Sequence, residues 1–306
     1  MGPTATGKTA MGVALAKRYG GEVVSVDSMQ IYRGMSVGTA APSPEETEGI
    51  PHHMIAVADP GEQWSVSRYA AAADECVQDI LRRGRLPILV GGTGLYFAAL
   101  LRGTSFAAGQ SGTAVRQALE QRMAQEGGEA LLTLLRQVDP ETAARLHPND
   151  EKRIIRALEV WQETGETISE HDRRTREAPP RYRAVSLALT FSDRSDLYRR
   201  IDDRVDRMVE KGLLQEVREL LALGLPPTAT AWQAIGYKQF LPVARGKGTV
   251  EEAVAEIKLR SRQYAKRQLT WLRRDPTLHW IFWEKEPNFP AGLQKATEIL
   301  TAEGVC

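Results

Sequence analysis

Gly2-Pro3-Thr4-Ala5-Thr6-Gly7-Lys8-Thr9 matches the pattern G-x-x-x-x-G-K-[ST] at every constrained position, and Ala10 to Tyr19 follows with the pattern of a helix. In such a stretch the backbone N–H groups of a glycine-rich turn wrap phosphate oxygens at a helix N-terminus. Lys8 is placed to neutralise terminal phosphates and Thr9 to hold Mg²⁺. All eight residues, Gly2 to Thr9, are therefore expected to bind a pyrophosphate group. The loop predicts an α/β fold with a P-loop NTPase-like parallel sheet. One requirement of that fold is unmet, because the chain begins at Met1-Gly2 and the buried strand that should lead into the loop is absent. The expected explanation is a start assigned a few residues late, which removes one strand of ~5–6 residues. A poorly anchored loop is the alternative.

Downstream of the loop, strand and helix patterns alternate. Val23-Val24-Ser25-Val26 is a β-branched run ending at Asp27, and Ser65 to Arg83 reads as a helix closed by Gly84. Leu86 to Val90 is a buried-strand run ending in Gly91-Gly92-Thr93-Gly94. Strand, helix, strand in that order predicts a parallel, doubly wound sheet. From Thr104 to Arg183 the pattern becomes helical throughout, with segments at 113–126, 129–137, 151–164 and 168–176 separated by glycine, proline and asparagine. This block reads as an all-helical insertion, 104–183, in a core made of 1–103 and 184–306. In the second part of the core, Val185 to Phe191 resumes a strand pattern and Ser195 to Lys211 a helix ended by Gly212. Thr249-Val250-Glu251-Glu252 is a capping box that opens a helix to about Arg274, and Leu278 to Trp283 is a last strand.

The 306 residues are 42% hydrophobic and 26% charged, which is globular composition and excludes disorder. Two cysteines, Cys76 and Cys306, cannot build a disulfide framework or a four-cysteine zinc site, so a reducing cytoplasm is expected. No apolar run approaches the ~18–20 residues that span a bilayer, so no membrane association is expected. His52-His53 suggests a metal pair, but adjacent side chains point apart and no third ligand is evident; packing within a loop is expected instead.

Lys+Arg number 40 and Asp+Glu 39, a net charge of +1 that by itself speaks against a nucleic-acid binder. Divided, it reads differently: residues 1–103 and 104–183 are each net −1, and 184–306 are net +3. Seven of the basic residues fall between Lys258 and Arg274, a window with no acid and with Tyr264 and Trp271 interleaved. A basic helix with aromatic residues suits RNA phosphates and a splayed, stacked base. The loop also need not serve ATP hydrolysis. A nucleotide hydrolase places a Mg²⁺-binding acid at the end of a later strand, and Leu86–Val90 ends in glycines and a threonine.

Four further motifs complete the pattern: Asp27-Ser28-Met29-Gln30-Ile31-Tyr32-Arg33-Gly34, Gly91-Gly92-Thr93-Gly94-Leu95-Tyr96, the Arg153/Arg156 helix, and Ile235-Gly236-Tyr237-Lys238. With the phosphate loop and Lys266-Arg267-Gln268-Leu269-Thr270-Trp271-Leu272-Arg273, they resemble the tRNA dimethylallyltransferase (tRNA isopentenyltransferase) family, bacterial type, from Gly2 to about Trp283. The zinc finger of the family's eukaryotic members is lacking. The resemblance implies transfer of a dimethylallyl group from dimethylallyl pyrophosphate to the exocyclic amine of the adenosine immediately 3′ of the anticodon, in tRNAs reading codons that start with U. It also implies a P-loop that serves the prenyl pyrophosphate, and Mg²⁺ as cofactor. A monomer acting on the tRNA anticodon stem-loop is expected.

Two chemical needs follow: charge must be stabilised on departing pyrophosphate, and a proton removed from a weakly nucleophilic amine. Lys8, a Thr9-bound Mg²⁺ and the loop amides meet the first. Asp27, at a strand end near the loop, suits the second as general base, with a Mg²⁺ ligand as its alternative role. Arg204 shares a helix face with Arg200; by resemblance it contacts the pyrophosphate and assists its departure, and a surface lattice with Asp202, Asp203 and Asp206 is the alternative. By resemblance, tRNA is contacted by Asp27, Ser28, Met29, Gln30 and Thr93, by Arg116, and by Lys152, Arg153, Ile154, Ile155 and Arg156 in the insertion. The same holds for Gln233, Ala234, Ile235, Gly236, Tyr237 and Lys238, with Tyr237 a stacking platform, and for Lys266, Arg267, Gln268, Trp271 and Arg273. The rival readings are an adenylate isopentenyltransferase acting on free adenine nucleotides, a P-loop nucleotide kinase, and a non-catalytic RNA-binding protein. The basic helix and the insertion speak against the first, the missing acid against the second, and an intact Lys8, Thr9 and Asp27 against the third.

Overall fold

The computed structural model describes residues 1–103 and 113–305. Cys306 and the expected first residues of the insertion, from Thr104, lie outside the described residues. The chain divides into two compact units, Met1–Leu100 with Arg183–Cys306, and Leu101–Tyr182.

The first unit begins at the phosphate loop, which leads into α1 (Lys8–Tyr19) through Gly7 in the left-handed conformation, φ 80°. Gly20, also left-handed, ends α1 and turns the chain into β1 (Glu22–Val26), every residue of which is buried. Two single turns follow, α2 (Ser36–Thr39) and α3 (Pro44–Thr47), and then the two-residue strand β2 (His52–His53). α4 (Val66–Arg82) starts where the Ser65 hydroxyl accepts the Arg68 N–H. It delivers the chain to β3 (Pro87–Gly91), and α5 (Gly94–Arg102) follows directly. β1 lies between β2 and β3, parallel to both, with Val23 opposite His52 and Ile88.

The second unit is helical. α6 (Ala114–Val138) is two helices broken at Gly127, where φ is 80° and ψ 171°. α7 (Pro140–Ala143), α8 (Glu151–Thr164) and α9 (Ile168–Glu177) complete it. Its core is the apolar face of α8 laid against α6, with Leu119, Leu131, Leu135, Ile154, Ile155 and Leu158 buried. No strand occurs in this unit among the described residues.

The first unit resumes with β4 (Leu187–Phe191), α10 (Arg194–Glu210) and α11 (Leu213–Ala222), then a 3₁₀ turn at Thr230–Gln233 and α12 (Tyr237–Ala244). α13 (Val250–Leu272) opens with the capping box of Thr249 and Glu252 in place. β5 (His279–Trp283) and α14 (Phe289–Ala302) end the fold. β4 and β5 form a separate parallel pair, and β4 also takes up Met1: the Leu189 N–H donates to Met1 O at 3.0 Å. The core here joins α1, β4, β5, α10, α13 and α14 through Met11, Leu189, Ile201, Leu269, Ile281 and Leu300.

His52 and His53 stand on β2, not in a loop. Their side chains do diverge: His53 Nε2 is 2.7 Å from Glu22 Oε2, and His52 Nδ1 is 2.8 Å from Ile50 O. Glu22 also receives Arg83 through both terminal nitrogens. Among the described residues no group of three or more His, Cys, Asp or Glu is arranged to hold a metal, and no helix is long and apolar enough to cross a membrane.

Candidate active site and RNA-facing surface

The phosphate loop is held from several sides. Thr6 is fully buried and its hydroxyl donates to Pro3 O at 2.9 Å, closing the turn on itself. Trp283 Nε1 donates to Thr6 O at 2.9 Å. Gln268, 8% exposed on α13, accepts the Thr4 N–H at 3.1 Å and donates to Gly92 O at 2.9 Å, so one amide joins the loop to the end of β3. Gly2 and Gly7 are required by contact: a Cβ on Gly2 would lie 2.6 Å from Leu189 O, and one on Gly7 2.8 Å from the Phe289 ring.

The loop opens onto a cleft of ≈ 850 Å³ lined by Thr4 to Ala10, by Asp27 to Gln30, by the Ser36–Pro44 segment, and by side chains of α10 and α13. Gly2 and Pro3 lie beneath the loop and do not line the cleft. Lys8 lies across its own loop, with Nζ 2.6 Å from Pro3 O. Burial first, and then the Arg204 charge, push the Lys8 ammonium down to about 7, while Asp27 acts in the opposite direction. Arg204 enters from α10 and donates to Thr39 O at 3.2 Å. Burial lowers its affinity for its proton, and Asp27 again opposes. Neither cation has an ion pair with a carboxylate among the described residues. The surface lattice is thereby corrected: Asp202 and Asp206 pair with Arg262 and Lys258 of α13, and Arg204 turns inward. Its neighbour Arg200 reaches Ala5 O and Glu286.

Asp27 follows β1 and accepts the N–H groups of Met29 at 2.8 Å and Gln30 at 3.2 Å, which fixes one carboxylate oxygen, Oδ1, in the turn. Its charge contributes to the upward shift of the buried Tyr69, Tyr96 and Tyr264 hydroxyls, for which burial is the larger cause. Gln30 spends its side chain internally, accepting from Ser25 Oγ and donating to the Thr39 and Ala40 carbonyls. Thr93 O accepts the Tyr96 N–H in the turn after β3, and its buried Oγ1 neighbours the Tyr264 hydroxyl. Among the described residues, Asp27 and Glu46 are the carboxylates that line the cleft, so the end of β3 supplies none.

Several residues expected to meet RNA are placed otherwise. Ile154 and Ile155 are core residues of the helical unit, 0% and 4% exposed. Arg116 and Arg156 converge on the buried Glu159, leaving Lys152 and Arg153 exposed on that helix. Tyr237 is fully buried and donates to Glu216, so it offers no stacking face, and burial pushes its hydroxyl far up. Ala234 and Gly236 are buried, while Gln233, Ala234 and Ile235 line the cleft and Lys238 is exposed. Trp271 packs against Gly94 at a distance only glycine permits, a Cβ there lying 2.3 Å from the indole.

The basic strip on α13 is shorter than its sequence. Lys258 and Arg262 are matched by Asp206 and Asp202, and Arg260 by Glu256. Lys266, Arg267, Arg273 and Arg274 remain exposed, with no ion pair among the described residues.

Sequence reasoning missed Glu216, Trp283 and Phe289 as parts of the site. A signal existed for Glu216, a lone acid in line with Leu213, Val217 and Leu220 on the buried face of α11.

The chain's comparisons with known proteins agree with each other. The IPP transferase family matches residues 30–275, and the isopentenyl transferase family residues 1–56. The chain is 44% identical to a tRNA dimethylallyltransferase of Carboxydothermus hydrogenoformans over 306 residues, covering 100% of this chain and 96% of that one. It is similar to the crystal structure of the tRNA isopentenylpyrophosphate transferase of Bacillus halodurans, with TM-score 0.72 and 40% identity, over 99% of this chain and 96% of that one. A eukaryotic dimethylallyltransferase acting on tRNA aligns with TM-score 0.82 and 29% identity, over 99% of this chain and 78% of its own.

Proposed function

Since this chain belongs to the IPP transferase family, the tRNA dimethylallyltransferases, we propose that its cleft prenylates tRNA with Lys8 and Arg204 holding the pyrophosphate and Asp27 taking the proton. It is a transferase, and its relatives are named for action on tRNA. The donor is dimethylallyl pyrophosphate, and the acceptor the exocyclic amine of the adenosine 3′ of the anticodon. The observation that carries this reading is the convergence of two half-buried cations, each without an ion-paired carboxylate among the described residues, on one phosphate loop. Two like charges facing one cleft repel each other, and an anionic ligand relieves that repulsion.

In the reaction the amine nitrogen attacks the allylic carbon, the carbon–oxygen bond breaks, and its electron pair leaves with pyrophosphate. Lys8, Arg204 and loop N–H groups stabilise the charge that grows on the departing oxygens. One Asp27 oxygen is fixed by the Met29 and Gln30 N–H groups; the carboxylate accepts the proton released by the amine. The Thr9 hydroxyl lines the same cleft, and a site that supplies few protein oxygens and is completed by phosphate and water would suit Mg²⁺. When bound, the metal adds charge neutralisation at the leaving group.

Lys266 and Arg267 on α13 and Arg273 just after it, with Lys152 and Arg153 on the helical unit (residues 104–183 as a domain), contact tRNA phosphates of the anticodon stem-loop. We take the enzyme to act as a monomer in the cytoplasm.

The test is incubation with Mg²⁺, labelled dimethylallyl pyrophosphate and either tRNA or AMP. Label is expected in tRNA. Label in AMP alone, or ATP turnover without prenyl transfer, overturns the reading.

A further inference from the structure

Glu216 is 8% exposed on α11, and no cation pairs with it among the described residues. Its carboxylate is instead surrounded by neutral donors. Oε2 accepts the Val37 N–H at 2.8 Å and Ser36 Oγ at 3.3 Å; Oε1 accepts the Gly38 N–H at 2.9 Å and the Tyr237 hydroxyl. A buried charge held this way fixes its donors firmly, since hydrogen bonds to an ionised acceptor are the strong ones. The donors belong to one short stretch of chain and to the residue that backs it. A Cβ on Gly38 would lie 2.4 Å from the Tyr237 ring and 2.7 Å from Leu213, so the stretch is pressed against α11 and α12 at a distance only glycine permits.

The other end of the same stretch faces the cleft. Thr39 O accepts Arg204 Nη2 at 3.2 Å, and Gln30 Nε2 donates to Thr39 O and Ala40 O at 3.3 Å each. Among the described residues no carboxylate hydrogen-bonds Arg204, and the Thr39 carbonyl is what holds its Nη2. From these contacts we propose that Glu216, with Tyr237, is a positioning residue for the transfer reaction: it clamps Ser36–Thr39 so that the Thr39 carbonyl aims the Arg204 guanidinium at the leaving group. Glu216 touches neither substrate and acts only through Arg204. The proposal rests on the reading of Arg204 as a pyrophosphate ligand.

A double-mutant cycle separates this role from a merely structural one. Steady-state prenyl transfer to tRNA and the Kd for inorganic pyrophosphate are measured for the wild type, Glu216→Gln, Arg204→Ala and the double variant. Glu216→Gln is expected to lower kcat at least tenfold and weaken pyrophosphate, with KM for tRNA within about twofold. In the Arg204→Ala background the same change is expected to cost less than twofold in either readout. Equal losses in both backgrounds overturn the positioning role while leaving Arg204 as a ligand. If Arg204→Ala itself leaves turnover and pyrophosphate binding unchanged, the reading of Arg204 fails and this proposal with it. Should Glu216→Gln fail to fold, Tyr237→Phe removes a single donor and replaces it in the cycle, with the same outcomes deciding.

Discussion

Gln268 and Thr4 are joined by a hydrogen bond of 3.1 Å across 264 residues, so one amide of the phosphate loop is committed to α13. The same side chain donates to Gly92 O. Gln268→Leu removes a partner from both part-buried backbone groups, a loss of about 0.5–1.5 kcal/mol for each hydrogen bond. The expected outcome is a lower Tm and a raised KM for dimethylallyl pyrophosphate. Thermal melts with steady-state kinetics check it, and an unchanged KM would remove the clamp from the site.

Asp27→Asn keeps an oxygen to accept from Met29 and Gln30, so the turn after β1 persists. It removes the basic carboxylate. Turnover is expected to fall about 10²–10⁴-fold, the range of general-base contributions, while the Kd for pyrophosphate stays within a few-fold. Single-turnover assays beside calorimetry distinguish the two effects; equal losses in both would make Asp27 a binding residue.

Glu22 carries a pH dependence remote from the cleft. Hydrogen bonds from Arg83, and then His53, hold its carboxyl at about 2, below the ordinary 4.5, against the cost of burial. A carboxyl depressed in the folded state binds fewer protons there than in the unfolded chain. Its stabilisation, about 3 kcal/mol by the shift, is complete above pH 4.5 and lost as pH falls toward 2. Denaturant titrations between pH 6 and 2.5 are expected to show Glu22→Gln less stable at pH 6, with the difference from wild type closing toward pH 2.5. A constant difference would contradict it.

Removing exposed charge from α13 and removing paired charge are expected to differ. Each of Lys266→Ala, Arg267→Ala and Arg273→Ala should weaken tRNA binding and reduce the salt slope by about one. Arg260→Ala, whose guanidinium already faces Glu256, should change the slope by less. Filter binding over a range of salt concentrations provides the comparison, and equal slopes for both groups would deny α13 its RNA face.

Much of the fold was legible because its signals are local. The β-branched run at Val23, the Ser65 cap with Gly84 behind its helix, and the Thr249 capping box each act within a few residues. The elements not expected from the sequence include three helices, α5, α12 and α14, and several short pieces. α2 and α3 are single turns, and β2 is two histidines whose strand character comes from pairing with Val23 and Val24. The sequence expected Asp27 close to the loop, and both line one cleft. The site was misjudged wherever burial decides. Ile154 and Ile155 follow the basic Lys152 and Arg153, yet the helical period turns them into the core; Tyr237 looks like a stacking face until Glu216 takes its hydroxyl.

The sequence by itself determined the phosphate loop, the parallel order of strand and helix, and the helical character of the second unit, because turn geometry and hydrophobic period are properties of neighbouring residues. Only the tertiary structure decided that Arg204 points into the cleft, that Asp202 and Asp206 cancel part of the basic strip, and that Glu216 and Gln268 hold the walls of the site. Those outcomes depend on partners 21 to 264 residues away. They depend also on a low local dielectric, which makes each unpaired charge costly and each satisfied one firmly placed.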